Sequence, residues 1–485
     1  MLKRLQRRNF LKTLGVAVPA LSFSSFCFAY EENIASQIIN KNGFSDITTA
    51  VLFDLKNNQI TESHNQDLRL PLASVTKALT AIYGLETIGK TYKFYTDLYI
   101  DGVITDGLLD GNIYLVGGGD PSLTTDDLLK FVDVLKSIGI ENISGNFYYD
   151  DSSLPEFTSI DNTQLPEESF NPGLSGLNLN HNKILFKWRK NRGDYDLELE
   201  ARGLRSNAQA QNISIVGVSK SNSVYDYDID EKRRIESWRV SKKILGKSGV
   251  RWLPVRLSSS YASEVFKSLC LQNKISIPAP NQARKSYNEL NLLLRHESVT
   301  LFELVKKMLD TSNNLTAEIV GLYAANFWGV QTESIMRSGE VMTDWFDYIT
   351  KTKGSTFANH SGLTTESRVS SSDFIKFLYR NETRNILPSI LKSRPVYGSA
   401  AKKIYDSQIA VLAKTGTMHF NRGLSGYITK KGVPKAAFAI FSADIEKKMA
   451  IRSHQLSNPP GSKNWLYRAK FQENAILSNW AERYI

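Results

Sequence analysis

The sequence predicts a mixed α/β protein in which one body, built from both ends of the chain, is interrupted by a mostly β middle. Three observations predict it. Residues 74–88 carry Ala78, Leu79, Ile82 and Leu85 at helical spacing, and further helical patterns occupy 262–272, 301–310, 315–327, 371–379 and 463–483. Strand patterns accompany them: 49–62 folds over Lys56-Asn57-Asn58, and 423–429 pairs with 436–443 over Lys430-Lys431-Gly432. Between about 96 and 260 the texture changes to short strands, such as 96–100, 112–116, 145–149, 177–188 and 195–200, with a helical pattern at 126–138. The expected organisation is a first part at 30–95, an inserted region at 96–260 and a second part at 261–485. Within the insertion, 96–118 with 152–260 is expected to form one domain, and 119–151 a nested small α/β subdomain.

The chain has 485 residues, 41% of them hydrophobic, enough material for more than one core. Its first 29 residues read as a secretory signal. Lys3, Arg4, Arg7, Arg8 and Lys12 form a basic start without an acid, 14–28 is mostly apolar, and Ala29 is a small residue suited to cleavage. Arg7-Arg8-Asn9-Phe10-Leu11-Lys12 is similar to the twin-arginine export pattern. The competing reading is a membrane-anchoring helix, against which Pro19, Ser22, Ser24 and Ser25 count. Cleavage near Ala29 would take 5 positive charges from a formal +11 and leave +6. That balance suits an anionic wall or a loose association with a membrane surface. The basic residues are scattered, which argues against a nucleic-acid face. Of the 2 cysteines Cys27 lies in the leader, so Cys270 is left alone without an internal disulfide partner. The expected location is the periplasm.

Three short motifs stand in order: Ser74-Val75-Thr76-Lys77, Ser312-Asn313-Asn314 and Lys414-Thr415-Gly416. On a helix, residues three apart share a face, so Ser74 and Lys77 point the same way. A serine hydroxyl becomes a nucleophile when a base takes its proton, and a lysine serves as that base when burial or a nearby cation depresses its pKa. Lys414 is such a cation. Ser312 and Asn314 fall in a turn between two helices, with Ser312 placed to pass a proton onward and Asn314 to hold Lys77 and a substrate amide. Lys414 follows the apolar run 409–413 and so lies on a strand, whose edge can pair with an extended peptide. Lys414 and Thr415 suit a terminal carboxylate, and Gly416 suits close approach of a substrate backbone. The N–H groups of Ser74 and Thr417 are the expected oxyanion hole. Singly, each motif is weak. Ser-x-x-Lys recurs at 389–392 and 399–402, and Lys247-Ser248-Gly249 nearly repeats the third motif. The ordered trio is the stronger signal.

With these residues the chain resembles the low-molecular-mass class C penicillin-binding proteins, the D-Ala-D-Ala carboxypeptidase/endopeptidases. The resemblance runs from about 48 to 445. It includes Leu115 to Leu123 (with Gly117-Gly118-Gly119-Asp120-Pro121), Gly145 to Ser152, Leu315-Thr316-Ala317-Glu318, His360-Ser361-Gly362-Leu363 and Thr417-Met418. It implies a β-lactamase/transpeptidase-like antiparallel sheet flanked by helices, interrupted by two smaller domains. It also implies hydrolysis of peptidoglycan stem peptides through an acyl-serine, with β-lactams as covalent inhibitors. Two residues carry two readings each. Asp151 binds the amino group of the cross-linking residue or is a turn acid; His419 touches substrate or is a surface histidine. No metal or cofactor is expected, since the 6 histidines form no ligand pattern. A β-lactamase or a non-catalytic wall sensor is the alternative. Gly84 to Thr91 matches a P-loop by letter, but a helix precedes it where a strand is required.

Overall fold

The computed structural model describes residues 33–219, 223–284, 287, 289–331, 333–394, 396, 408–451 and 457–485. The leader expected at 1–29 lies outside the described residues.

The main sheet has six antiparallel strands: β1 (Thr48–Asp54), β2 (Gln59–His64), β3 (Lys392–Arg394), β4 (Ile409–Met418), β5 (Asn421–Lys430) and β6 (Val433–Ala443). Their order is β2-β1-β6-β5-β4-β3. The central strands β1, β5 and β6 are buried nearly throughout, because helices cover both faces. On one face Ala50, Leu52, Ile440 and Ile428 pack under α1 (Ile34–Lys41) and the C-terminal α7 (Ser462–Tyr484), which buries Trp465, Ile476 and Trp480. On the other, Val51, Ala439 and Phe441 meet the nucleophile helix α2 (Thr76–Thr87), α4 (Asn314–Phe327) and α6 (Ser371–Tyr379). Between these, α3 (Leu301–Thr311) and α5 (Ile335–Thr350) complete the helical layer. The α3–α4 junction is sharp: Ser312 caps α3 in the left-handed conformation, and the Asn313 side chain caps α4 through the Thr316 N–H.

The middle of the chain has its own core. A five-stranded sheet runs in the order 280–282, 147–150, 113–117, 95–100, 291–297. Four- and three-stranded sheets built from 183–254 pack beside it, with the helices Thr125–Ser137 and Ser258–Gln272. This core therefore takes in chain up to Glu297, past residue 260. The strand expected at 177–188 begins only at Lys183, because Asn180, His181 and Asn182 adopt positive φ.

Gly84 of the apparent P-loop, and Gly119 of the Gly117–Gly119 run, do packing work. A Cβ on Gly84 would lie 2.3 Å from Val320 Cγ1, so this glycine lets α2 meet α4. Gly119 is left-handed, and a Cβ there would lie 2.5 Å from the Tyr323 ring, whose hydroxyl donates to Gly118 O at 2.6 Å.

Phe441 is fully buried and meets Phe374 edge-on at 5.4 Å. Phe441→Ala is expected to cost about 3–5 kcal/mol in denaturant unfolding, the range for emptying an aromatic site in a packed core.

Candidate active site

Ser74 opens the site. It lies in a one-turn 3-10 segment, Ala73–Val75, that runs directly into α2. Ala73 takes a φ of 45°, a left-handed bend that alanine rarely adopts. The bend leaves Ser74 half-buried while residues 70–73 and 75–85 around it are buried. Lys77, one helical turn on, is completely buried. Its Nζ donates to Ser74 Oγ at 2.9 Å and to Ser361 O at 2.7 Å. Burial and then the neighbouring ammonium of Lys414 hold the Lys77 pKa well below the ordinary lysine range, while Glu318 acts the other way.

Lys414 reaches the site from β4. Its Nζ donates to Ser312 Oγ at 3.1 Å and to Thr415 O at 2.9 Å. Its pKa is pushed down to about 8 by burial, then by Arg394 and Arg422, with Asp310 opposing. The edge strand β3 pairs only with Val411–Ala413 of β4. Among the described residues nothing pairs with Lys414–Met418, the length of β4 beside Ser74, on that side.

Gly416 brings the two halves together, in a different way from the expected one. A Cβ there would lie 2.4 Å from Leu72 O and 2.9 Å from Ser74 N. The missing side chain makes room for the nucleophile's own backbone, not for that of a substrate. Gly362 does the same from the opposite side: it has a φ of 75°, and a Cβ would lie 1.9 Å from Ala73 O.

The structure places three of the expected residues away from a direct contact with Ser74 or Lys77. Asn314 does not hold Lys77; the amine is taken by Ser74 and Ser361, and the Asn314 amide donates to Phe170 O at 2.8 Å. That bond ties a loop of the middle region to the site. Asp151 is buried beside the inserted sheet, accepting from Gln282 Nε2 at 2.9 Å. His419 turns toward α7, with Nδ1 2.9 Å from Ser462 Oγ. The motif look-alikes lie elsewhere. Lys392 pairs with Asp310 on the surface at 2.8 Å, Gly249 packs against Trp188, and 399–402 falls outside the described residues.

Motif reading missed several residues. Arg422 donates to Thr417 Oγ1 at 2.9 Å and is gripped through two bonds by the buried Glu473 of α7, at 2.7 and 2.6 Å. Arg394 donates to Thr415 Oγ1 at 3.3 Å. Each threonine oxygen thus accepts from an arginine, which leaves its proton free to donate outward. Beyond Met418 a cavity of about 340 Å³ is lined by Asp161, Met336, Asn359, Glu366 and Lys448, among others. Arg422, Arg394 and Asp161 sit outside any short motif, so only the fold could bring them in.

Residues 31–456 match the D-Ala-D-Ala carboxypeptidase 3 (S13) family. The chain belongs to that family and is a serine-type D-Ala-D-Ala carboxypeptidase. It is 24% identical over 463 residues to D-alanyl-D-alanine carboxypeptidase DacB of Haemophilus influenzae, covering 90% of this chain and 94% of that one. It is 21% identical to the D-alanyl-D-alanine carboxypeptidase of an Actinomadura species, over 79% and 75% of the two chains. Its fold is similar to the crystal structure of penicillin binding protein 4 from Haemophilus influenzae, with a TM-score of 0.71, 20% identity and coverage of 93% and 99%; a complex of that protein with a β-lactam has also been solved.

Gly416→Ala is expected to leave the protein folded but to push Ser74 out of line. Acylation should fall on the order of 10²-fold, the scale for displacing a reacting group by about an ångström. Acylation kinetics beside a thermal melt would show it.

Proposed function

We propose that the enzyme attacks the carbonyl of the penultimate D-Ala with Ser74, using Lys77 as the base. The observation that carries this is the Lys77 Nζ–Ser74 Oγ contact at 2.9 Å in a site where the lysine is completely buried and its proton affinity depressed. The Ser74 Oγ–H bond breaks as Lys77 gains the proton and Oγ bonds the carbonyl carbon. The N–H groups of Ser74 and Thr417 receive the oxyanion. As the peptide C–N bond breaks, Ser312, held by Lys414, passes the proton that Lys77 took on to the departing D-Ala amine. Water then releases the shortened peptide from Ser74.

The terminal carboxylate is recognised by Lys414 and by the hydroxyls of Thr415 and Thr417, whose protons Arg394 and Arg422 turn outward. The same contacts receive the carboxylate of a β-lactam, which acylates Ser74. The cavity beyond Met418 lies along the strand from the oxyanion position, where the residue preceding the penultimate D-Ala would extend. Asp161 and Glu366 suit the free amino group of a diamino acid there. This supports an endopeptidase activity on cross-linked peptides, and the peptidoglycan of the periplasm as the substrate, reached after export directed by residues 1–29.

Three experiments test the reading. Labelled penicillin should modify the wild type and leave Ser74→Ala unlabelled with an unchanged melt; a labelled variant would contradict the assignment, and rapid release of the wild-type label would favour a β-lactamase. In D-Ala release from a pentapeptide, kcat/KM should fall as pH rises through about 8, because Lys414 then loses the charge that holds the carboxylate. Asp161→Asn should slow cleavage of a cross-linked dimer more than that of the pentapeptide.

A further inference from the structure

Glu318 is the buried carboxylate that the reaction above does not use. It lies in the second turn of α4 and is completely buried. One carboxylate oxygen accepts the Ser361 N–H at 2.8 Å, the other the His360 N–H at 3.1 Å. The carbonyls of the same two residues face α2: Thr80 Oγ1 donates to His360 O at 2.6 Å, and Lys77 Nζ to Ser361 O at 2.7 Å. The His360 ring locks the turn from behind, with Nε2 2.7 Å from Ser338 Oγ of α5. It packs where a Cβ on Gly321 of α4 would lie 2.0 Å away. The 360–361 turn is therefore a bracket between α2 and α4, closed at one end by a lysine and at the other by a carboxylate.

A free carboxylate is costly to bury, and burial raises the Glu318 pKa, while the Ser361 and His360 bonds and the neighbouring Lys77 act the other way. The charge itself calls for a role. The reaction supplies one. In acylation Lys77 passes from a neutral amine to an ammonium in a site where burial and Lys414 both oppose that charge. Glu318 is the negative group that favours it.

We propose that Glu318 is a positioning residue for Lys77: it fixes the Ser361 carbonyl that orients the amine, and it supplies the negative charge that meets the ammonium formed when Ser74 gives up its proton. The inference rests on Lys77 being the base. The groups bearing on Lys77 come from every side: Ser74 on its own turn, Glu318 from α4, Lys414 from β4, and the 360–361 turn, whose histidine is held neutral by burial with its pKa lowered to about 3. Arg394, Arg422 and Asp310 bear in turn on Lys414.

Removing the charge while keeping an acceptor should make Lys77 a weaker base. The rate of acylation by penicillin rises with pH as Lys77 loses its proton. In Glu318→Gln that rise should move to lower pH by about one unit or more. The plateau should fall roughly tenfold or further, because a weaker base removes the serine proton less well. Glu318→Asp keeps the charge but not the reach, so it should lose rate while its rise stays at the wild-type pH. A Glu318→Gln enzyme that loses rate with its rise unmoved would overturn the inference. If circular dichroism shows that Glu318→Gln does not fold, carbon-13 glutamate spectra of the wild type decide. The resonance missing from Glu318→Asp should be a carboxylate throughout the rise, and a protonated side chain there would overturn the proposal. Penicillin labelling retained in Ser74→Ala would sink the assignment of the nucleophile and this inference with it; an unmoved rise in an enzyme whose label needs Ser74 sinks the inference alone.

Discussion

Two lysine side chains share one buried cleft, and the rest of the site follows from that. Lys77 is completely buried and Lys414 is 4% exposed. Water is the only solvent in which such groups sit cheaply as neighbours, and burial removes it. The chain resolves the conflict by separating their roles. Lys77 is the more deeply buried and has the neighbouring cation, and its pKa is held well below the ordinary lysine range. Lys414 is pushed down to about 8, which leaves it charged at neutral pH for binding an anion.

Holding that arrangement takes close approaches that ordinary side chains forbid. Gly416 lets the catalytic strand lie against the backbone of Leu72 and Ser74, and Gly362 admits the Ala73 carbonyl from the opposite side. Ala73 itself is bent into the left-handed region between them. The nucleophile is thus seated between a strand and a turn, each of which carries one of the lysines' partners: Lys414 on the strand, and Ser361 in the turn. The sheet provides the rigidity. Its inner strands are buried on both faces, and α7 reaches back through Glu473 to brace Arg422 and, through it, Thr417. The middle region enters the site at two points, Phe170 on Asn314 and Asp161 in the cavity beyond Met418.

Much of this was legible in the sequence because it is local. Ser74 and Lys77 sit three residues apart on one helix, and the hairpin over Lys431 and Gly432 needs only nearest-neighbour pairing. The strand β4 and the buried faces of β1 and β6 follow from apolar runs. Other features depend on distant chain and leave no local mark. Asp151 reads equally as a ligand acid or as a turn acid after a strand, and only the inserted sheet shows its carboxylate accepting from Gln282. Asn314 was matched to Lys77 by motif, but the 360–361 turn reaches the amine first. His419 directly follows Met418 of the catalytic strand and still faces α7. The helices Ile335–Thr350 and Asn381–Ile390 escaped notice for a different reason: aromatic and β-branched residues in the first, and Pro388 in the second, blur the helical pattern.

The account stands on the charge state of one side chain. Nitrogen-15 lysine spectra of the free enzyme, with the Lys77 resonance identified by its loss in Lys77→Arg, would follow that amine directly through a pH titration. The account predicts a neutral amine at neutral pH, set apart from every surface lysine. An ammonium that persists to about pH 10, as for a lysine in water, would contradict it.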